Sequence, residues 1–375
     1  MGKIRIPICE PTLTGGHEIE YLSNCIKSNW ISSKGNYVIE FENRFSKFCN
    51  AEYGIATSSG TTALHLALVA LGVGKGDEVI VPTLTMIATA NPVIFAGATP
   101  VFVDSEPHTW NIDVAAIEEK ITDRTRAILP VHIYGHPVDM DPLLSLAKRH
   151  NLFVIEDAAE AHGAEYKGRT VGCLGDIGCF SFYTNKIITT GEGGMAVTND
   201  SETAEKLNQF RDLAHSKEKR YLHYQIGFNY RMTNLQAAIG VAQMERIDEF
   251  IKNRRRNAKL YNSILKDVQG ITLPPEADWA KNIYWLYSIL IQDDFGTGRD
   301  ELITELSERG IETRPFFIPM HKQPVFKEMG LTSGDFPVAD ELCAKGICLP
   351  SSSSLHENQI NYVCDAIKEA QKTVK

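Results

Sequence analysis

The chain has 375 residues, of which 43% are apolar, and a formal net charge of −9. That length suits a large domain plus a smaller one, and the apolar share is enough to bury a sizeable core. The acidic balance is spread along the chain, which argues against nucleic acid or an anionic membrane as the main partner but leaves room for a local basic site that binds an anionic ligand.

In chain order, the amino terminus reads Met1-Gly-Lys-Ile-Arg-Ile6-Pro7, with no apolar core for a secretory signal and Ile6 where N-myristoylation needs Ser or Thr. No later run is long and apolar enough to span a bilayer. Short runs rich in Val, Ile and Phe then alternate with helical patterns. Strands are predicted at 78–82, 100–104, 127–131, 152–156, 179–183 and 194–198, several of them apolar on both faces, as when helices cover both sides of a sheet. Between them, 61–71 reads as a helix apolar almost all round, and 142–150 and 202–213 as amphipathic helices. This is an α/β domain with a mostly parallel sheet flanked by helices. From Thr233 to Leu265 the pattern is one long helix, bent or broken near Asp248, whose Arg254-Arg255-Arg256 run is expected on a solvated face. Beyond it, a strand at 286–291 and a helix at 300–309 belong to a smaller α+β domain, and Ser351–Ser354 is a short polar loop. The expected division is a large domain over 1–245 and a small one over 246–375. Cys9, Cys25, Cys49, Cys173, Cys179, Cys343, Cys348 and Cys364 form neither a CxxC pair nor a zinc-ligand cluster, so reduced thiols in a cytoplasmic protein, and no metal site, are expected.

Three segments carry chemistry. Thr57-Ser58-Ser59-Gly60-Thr61-Thr62 opens the buried helix with hydroxyls and a glycine. Unpaired N–H groups and the positive end of the dipole make such a start a phosphate cradle, although an ordinary helix cap uses the same residues. Val154-Ile155-Glu156-Asp157-Ala158-Ala159-Glu160-Ala161-His162 ends a buried strand in carboxylates, where open α/β sheets bind ligands. One carboxylate there can hold a cationic ring nitrogen, or either can cap a helix or join a structural ion pair, and His162 reads as a satisfied structural residue. Asn185-Lys186-Ile187-Ile188-Thr189-Thr190-Gly191-Glu192-Gly193-Gly194 sets one lysine between a strand and a glycine-rich turn. Desolvation there lowers an amine's pKa and favours Schiff-base chemistry, while a lysine lying along the surface is the plainer reading. The turn fits neither the Rossmann nor the P-loop spacing.

Their order, cradle then strand-end acid then lysine, resembles the fold type I enzymes that use pyridoxal 5'-phosphate. With Trp30-Ile-Ser-Ser-Lys-Gly-Asn36, Asn229-Tyr-Arg-Met-Thr-Asn234 and Arg314-Pro-Phe-Phe-Ile-Pro319, the chain is similar over nearly its whole length to the DegT/DnrJ/EryC1/StrS family of sugar aminotransferases. The resemblance implies that Lys186 is the cofactor lysine and proton carrier. It implies that Asp157 pairs with the pyridinium nitrogen, that Glu160 lies near the cofactor's 3'-oxygen, and that Gly60, Thr61 and Ser181 bind phosphate. Asn229 would reach the cofactor phosphate of a second subunit, making a homodimer with active sites at the subunit interface, and Arg231 and His321 are weaker candidates for substrate. Met86 stands where the family has an aromatic residue stacked on the pyridine ring; a thioether also packs on such a ring. The implied reaction moves an amino group from L-glutamate to a nucleotide sugar, with GDP-4-keto-6-deoxymannose first and a dTDP- or UDP-linked 4-keto-6-deoxyhexose as the alternative, for O-antigen or another surface glycan. A non-catalytic regulatory protein that binds the cofactor is the competing class. Lys186 argues against the family's dehydratases, which carry histidine there, and the lack of an early G-x-G-x-x-G argues against a Rossmann oxidoreductase.

Overall fold

The computed structural model describes residues 5–219 and 221–372. Most of the amino-terminal segment read above for targeting signals therefore lies outside the described residues. The central sheet has seven strands in the order Tyr53–Thr57, Gly194–Thr198, Ile177–Ser181, Phe153–Asp157, Thr125–Ile128, Glu78–Pro82 and Thr99–Val103. The last five run parallel to one another. Gly194–Thr198 runs antiparallel to both of its neighbours.

Helix Gly60–Ala70 packs against Ile177–Ser181 and Gly194–Thr198 on one face of this sheet. Its Ala63, Leu64, Leu66, Ala67 and Leu68 are all buried, as an all-round apolar pattern requires. The six predicted strands are all present, displaced by at most two residues at their starts. Thr125–Ile128 stops short of 131 because Pro130 offers no N–H to continue the ladder. The edge strand Tyr53–Thr57 escaped the prediction: it is short, and Gly54 and Thr57 dilute its apolar signal.

The predicted long helix is two helices, Asn234–Met244 and Ile247–Leu265, with Glu245 and Arg246 between them. Thr233 and Gln236 close the first by a reciprocal capping box. A second sheet of Ile271–Thr272, Tyr287–Ile291, Gly346–Leu349 and Arg314–Pro315 is antiparallel throughout. Ile247–Leu265, Arg299–Glu308 and Glu357–Lys372 cover it around a separate core of Tyr261, Tyr287, Leu302 and Ile360. Ile6 pairs with Ile311 and contributes to that core.

Two sequence readings need correction. The Arg254–Arg256 run is a solvated face only in part: Arg256 is exposed and Arg255 half-buried, but Arg254 points inward. Ile247, Phe250, Ile251, Arg254, Ala258, Tyr261 and Leu265 recur at helical spacing on the buried stripe, and Arg254 is only 3% exposed. The serine loop stays a loop, but Ser351, Ser352 and Ser353 are buried. Their hydroxyls accept from Tyr287 N, Glu10 N and Arg254 Nε. All eight cysteines are free thiols. No helix among the described residues is long and apolar enough to cross a membrane.

Candidate active site

Successive residues of a strand face opposite sides of a sheet, so the adjacent acids of Phe153–Asp157 have different surroundings. Glu156 accepts N–H groups from Gly172 at 2.7 Å, Leu174 at 2.6 Å and Gly175 at 2.7 Å, and meets His132 Nε2 at 3.0 Å. Burial pushes its pKa up, but His132 and the backbone donors outweigh that and hold it below the usual glutamate value. It is a structural carboxylate that ties the strand end to the 172–175 loop. Asp157 lines a cavity instead. Its Oδ2 accepts from the Thr89 hydroxyl at 2.8 Å and its Oδ1 from Ala159 N at 3.1 Å. Burial pushes Asp157 up, and those two donors and Lys186 offset only part of the rise.

The cavity, of about 310 Å³, opens where the parallel strands end and the Gly60–Ala70 helix begins. Ser59 caps that helix, accepting from Thr62 N, which leaves the first two N–H groups, those of Gly60 and Thr61, without acceptors inside the helix. A Cβ on Gly60 would stand 2.8 Å from Ser181 Cβ, so glycine allows this close approach of helix start to strand end. Gly194 serves the same contact: a Cβ there would lie 2.2 Å from Ser59 O. Close packing accounts for Gly193 and Gly194 of the glycine-rich turn, and a φ of +82° for Gly191, without nucleotide binding.

Lys186 follows a turn closed by its own N–H to Tyr183 O at 2.9 Å. Its side chain is 11% exposed, and its Nζ lies 3.9 Å from Glu160 Oε1 and 3.8 Å from the centroid of the Trp285 ring. Burial lowers its pKa, against the pull of Glu160 and Asp157. Burial raises that of Glu160, against Lys186 and the Tyr134 N–H bonded to Oε2 at 2.8 Å. Tyr134 adopts a φ of +51° beside that bond, a conformation uncommon for a bulky residue. The pair is held so that both partners lean toward their neutral forms, an amine ready to attack and an acid able to donate.

These residues suit a phosphorylated heteroaromatic aldehyde. There is a deep carboxylate for a ring nitrogen, an amine for the carbonyl, and hydroxyls with open N–H groups for the phosphate. Asn185 Oδ1, buried at the cavity, has no hydrogen-bond partner among the described residues, as expected where a ligand completes a site. The model of the family described as DegT/DnrJ/EryC1/StrS aminotransferases matches residues 13–368.

The chain belongs to the DegT/DnrJ/EryC1/StrS aminotransferase family.

It is 48% identical to the GDP-perosamine synthase of Escherichia coli O157:H7 over 97% of this chain and 98% of that one. It is 47% identical to the GDP-perosamine synthase of Caulobacter vibrioides, again covering 97% and 98%. Among solved structures, DesV of S. venezuelae in complex with a ketimine intermediate superposes with a TM-score of 0.92 at 35% identity, covering 99% of this chain and all of that one. As a member of the DegT/DnrJ/EryC1/StrS family, the chain is an aminotransferase dependent on pyridoxal 5'-phosphate. Gly60, Thr61, Met86, Asp157, Glu160, Ser181 and Lys186 all line the one cavity. Asn229, Arg231 and His321 do not. Asn229 Oδ1 accepts two bonds from Arg231, which also pairs with Asp212 at 2.7 Å. His321 bonds Thr83 at 2.8 Å and Asp340 at 2.9 Å and stacks on Phe336. His162 is buried against Phe45, Phe180 and Phe182, and burial drives it down to about 3, so it is neutral. Contrary to the sequence reading it is not satisfied: neither ring nitrogen makes a hydrogen bond of ordinary geometry among the described residues.

Sequence reasoning missed Thr89, which orients Asp157, and Trp285, which lies under Lys186. Thr89 had no signal beyond following Pro82-Thr-Leu-Thr-Met86, and Trp285 reaches the site only through tertiary folding. Met86 is 49% exposed at the mouth of the cavity, immediately before helix Ile87–Phe95. A larger side chain has room there, so Met86→Tyr is expected to retain turnover; a folded but inactive variant in a coupled transamination assay would overturn this.

Proposed function

We propose that the chain transfers an amino group from L-glutamate to C4 of a 4-keto-6-deoxy sugar nucleotide, with GDP-4-keto-6-deoxymannose as acceptor and GDP-perosamine as product. The observation that carries the reaction class is the buried set Lys186, Glu160 and Asp157 in one cavity beside an open helix start. The likeness to two GDP-perosamine synthases supports the choice of sugar.

Pyridoxal phosphate bound in the cavity supplies a carbonyl that takes up an amino group and a ring that stabilises negative charge on carbon. The Gly60 and Thr61 N–H groups and the Thr61 and Ser181 hydroxyls hold its phosphate. Asp157, fixed by Thr89 and Ala159, pairs with the protonated ring nitrogen, and that cation replaces the solvation which burial takes from the carboxylate. Glu160, with its proton, donates toward the ring oxygen. Lys186 Nζ would hold the cofactor and, when free, would move the proton that leaves carbon, as base and then as acid. Val131, Leu64, Ala159 and Phe317 keep water from the reacting face. L-Glutamate leaves as 2-oxoglutarate, and the keto sugar takes the amino group by the reverse path.

The working unit is a homodimer in the cytoplasm. Asn229, outside the cavity of its own chain, reaches the cofactor phosphate of a second copy, and Arg231 and His321 serve the nucleotide-sugar diphosphate. A division into a large unit over 1–245 and a small one over 246–375 is supported by the break between the helices ending at Met244 and starting at Ile247.

The test loads the protein with cofactor, converts it with L-glutamate, removes glutamate and 2-oxoglutarate, and adds GDP-4-keto-6-deoxymannose or its dTDP and UDP counterparts. Rapid return of the lysine-bound cofactor absorbance with the GDP sugar alone is expected. Return with another nucleotide sugar keeps the reaction and changes the substrate. No bleaching by glutamate overturns the donor.

A further inference from the structure

Arg254 is an unusual cation for a protein interior. It is buried on the inner face of helix Ile247–Leu265, and no carboxylate forms an ion pair with it among the described residues. Its donors go to neutral acceptors instead. Nη1 bonds the backbone oxygen of Trp285, Nε the hydroxyl of Ser353 at 3.1 Å, and Nη2 the sulfur of Cys9 at 3.2 Å. An arginine kept only for packing is more cheaply replaced by an apolar residue, since an uncompensated charge in the interior is costly.

Its partners converge on one atom. The indole Nε1–H of Trp285 donates to the backbone oxygen of Asn185 at 2.8 Å, and the Cys9 thiol donates to the same oxygen at 3.1 Å. Asn185 immediately precedes Lys186, whose amine lies over the Trp285 ring. One guanidinium thus joins the amino-terminal segment, the long helix and the Tyr284–Leu286 segment to the peptide that carries the lysine.

We infer that Arg254 is a positioning residue for Lys186: through Trp285 and Cys9 it fixes the Asn185 carbonyl, and its unpaired charge lies within the same bonded cluster as the lysine peptide. The inference rests on Lys186 being the cofactor lysine. The amine is also faced by Glu160 and Asp157, which favour its charged form, by neutral His162, by the Cys9 thiol, and by Arg314 across the cavity. Burial is the largest influence lowering its pKa, and Arg254 acts in the same direction.

The test titrates Lys186 in cofactor-free protein, following its carbamylation by cyanate against pH with the modified peptide read by mass spectrometry. Arg254→Gln is expected to raise the midpoint by roughly one pH unit. Arg254→Lys keeps the charge, but its three donors leave from one point and cannot match the spread of the guanidinium fork over Trp285, Ser353 and Cys9, so the midpoint stays near that of the parent while pyridoxal phosphate binds more weakly. An unchanged midpoint in folded Arg254→Gln overturns the electrostatic role, and parental cofactor affinity in Arg254→Lys overturns the positioning role. If Arg254→Gln does not fold, the lysine variant alone decides: weaker binding at a held midpoint supports the inference, and parental behaviour in both readouts ends it. Borohydride reduction of the loaded parent, mapped to Lys186, separately checks the reading beneath: label elsewhere removes the cofactor lysine itself, whatever Arg254 does.

Discussion

Lys186→Ala is expected to leave a folded protein whose transamination rate falls by at least about a thousandfold. The amine is asked both to hold the cofactor and to move the proton, and no second amine among the described residues lines the cavity. Folding should survive because Lys186 is a desolvated group near Glu160 at 3.9 Å rather than the centre of a hydrogen-bond network. Without it, Glu160 keeps its bond to Tyr134 N and is more readily protonated, since the attraction that lowered its pKa is gone. Single-turnover absorbance with L-glutamate measures the loss, and thermal melting checks the fold. Partial rescue by a small added amine would identify proton transfer as part of what was lost. A rate within about tenfold of the parent would remove Lys186 from the mechanism.

Glu156→Ala, one residue from a candidate catalytic acid, should act on stability instead, costing about 3–5 kcal/mol in denaturant unfolding. It strips the acceptor from three backbone N–H groups and from His132, of which His132 and Gly172 are buried. The effect has a direction in pH. Because the folded-state pKa lies below that of the unfolded chain, the contribution is fully present above the usual carboxylate range and is lost as pH falls through the folded value. The parent should therefore lose stability on acidification where the variant loses less. A variant as stable as the parent at neutral pH, or with the same acid dependence, would contradict the structural role. Asp157→Asn offers the contrast, with folding nearly kept, since Asn still accepts from Thr89, but with the charge that pairs the ring nitrogen gone.

Why the sequence allowed these two acids to be noticed but not separated is a matter of range. Strand runs such as Gly194–Thr198 are local patterns and read off almost to the residue. The acids were visible at a strand end, but which faces the cavity depends on what lies on each side of the sheet. Lys186 stood out as one charge between apolar runs. Thr89, Trp285 and Arg254 did not, because their roles exist only once separate segments meet. Arg254 had a signal that charge counting hid: it falls on the same helical stripe as Ile247, Phe250 and Tyr261. Asn229 and Arg231, read from a motif, lie outside the cavity of their own chain, and a single chain carries no contact that assigns them a task.

The strand Gly194–Thr198 sets a timetable for synthesis. Among the described residues Tyr53–Thr57 pairs with that strand, from Tyr53 with Thr198 to Thr57 with Gly194, and otherwise makes a single bridge from Thr57 to the still later Arg231. A ribosome must therefore release almost all of the large unit before the segment that leads into Ser59 and Gly60 is anchored. Until then the parallel strands can assemble, but the phosphate end of the cavity has no fixed wall, and Ile177–Ser181 exposes an unpaired edge. Pairing over such a sequence separation is slow. A nascent chain stalled just before Gly194 should thus carry every acid, hydroxyl and amine of the site and yet bind no cofactor, with its open edge free to join another unfinished chain.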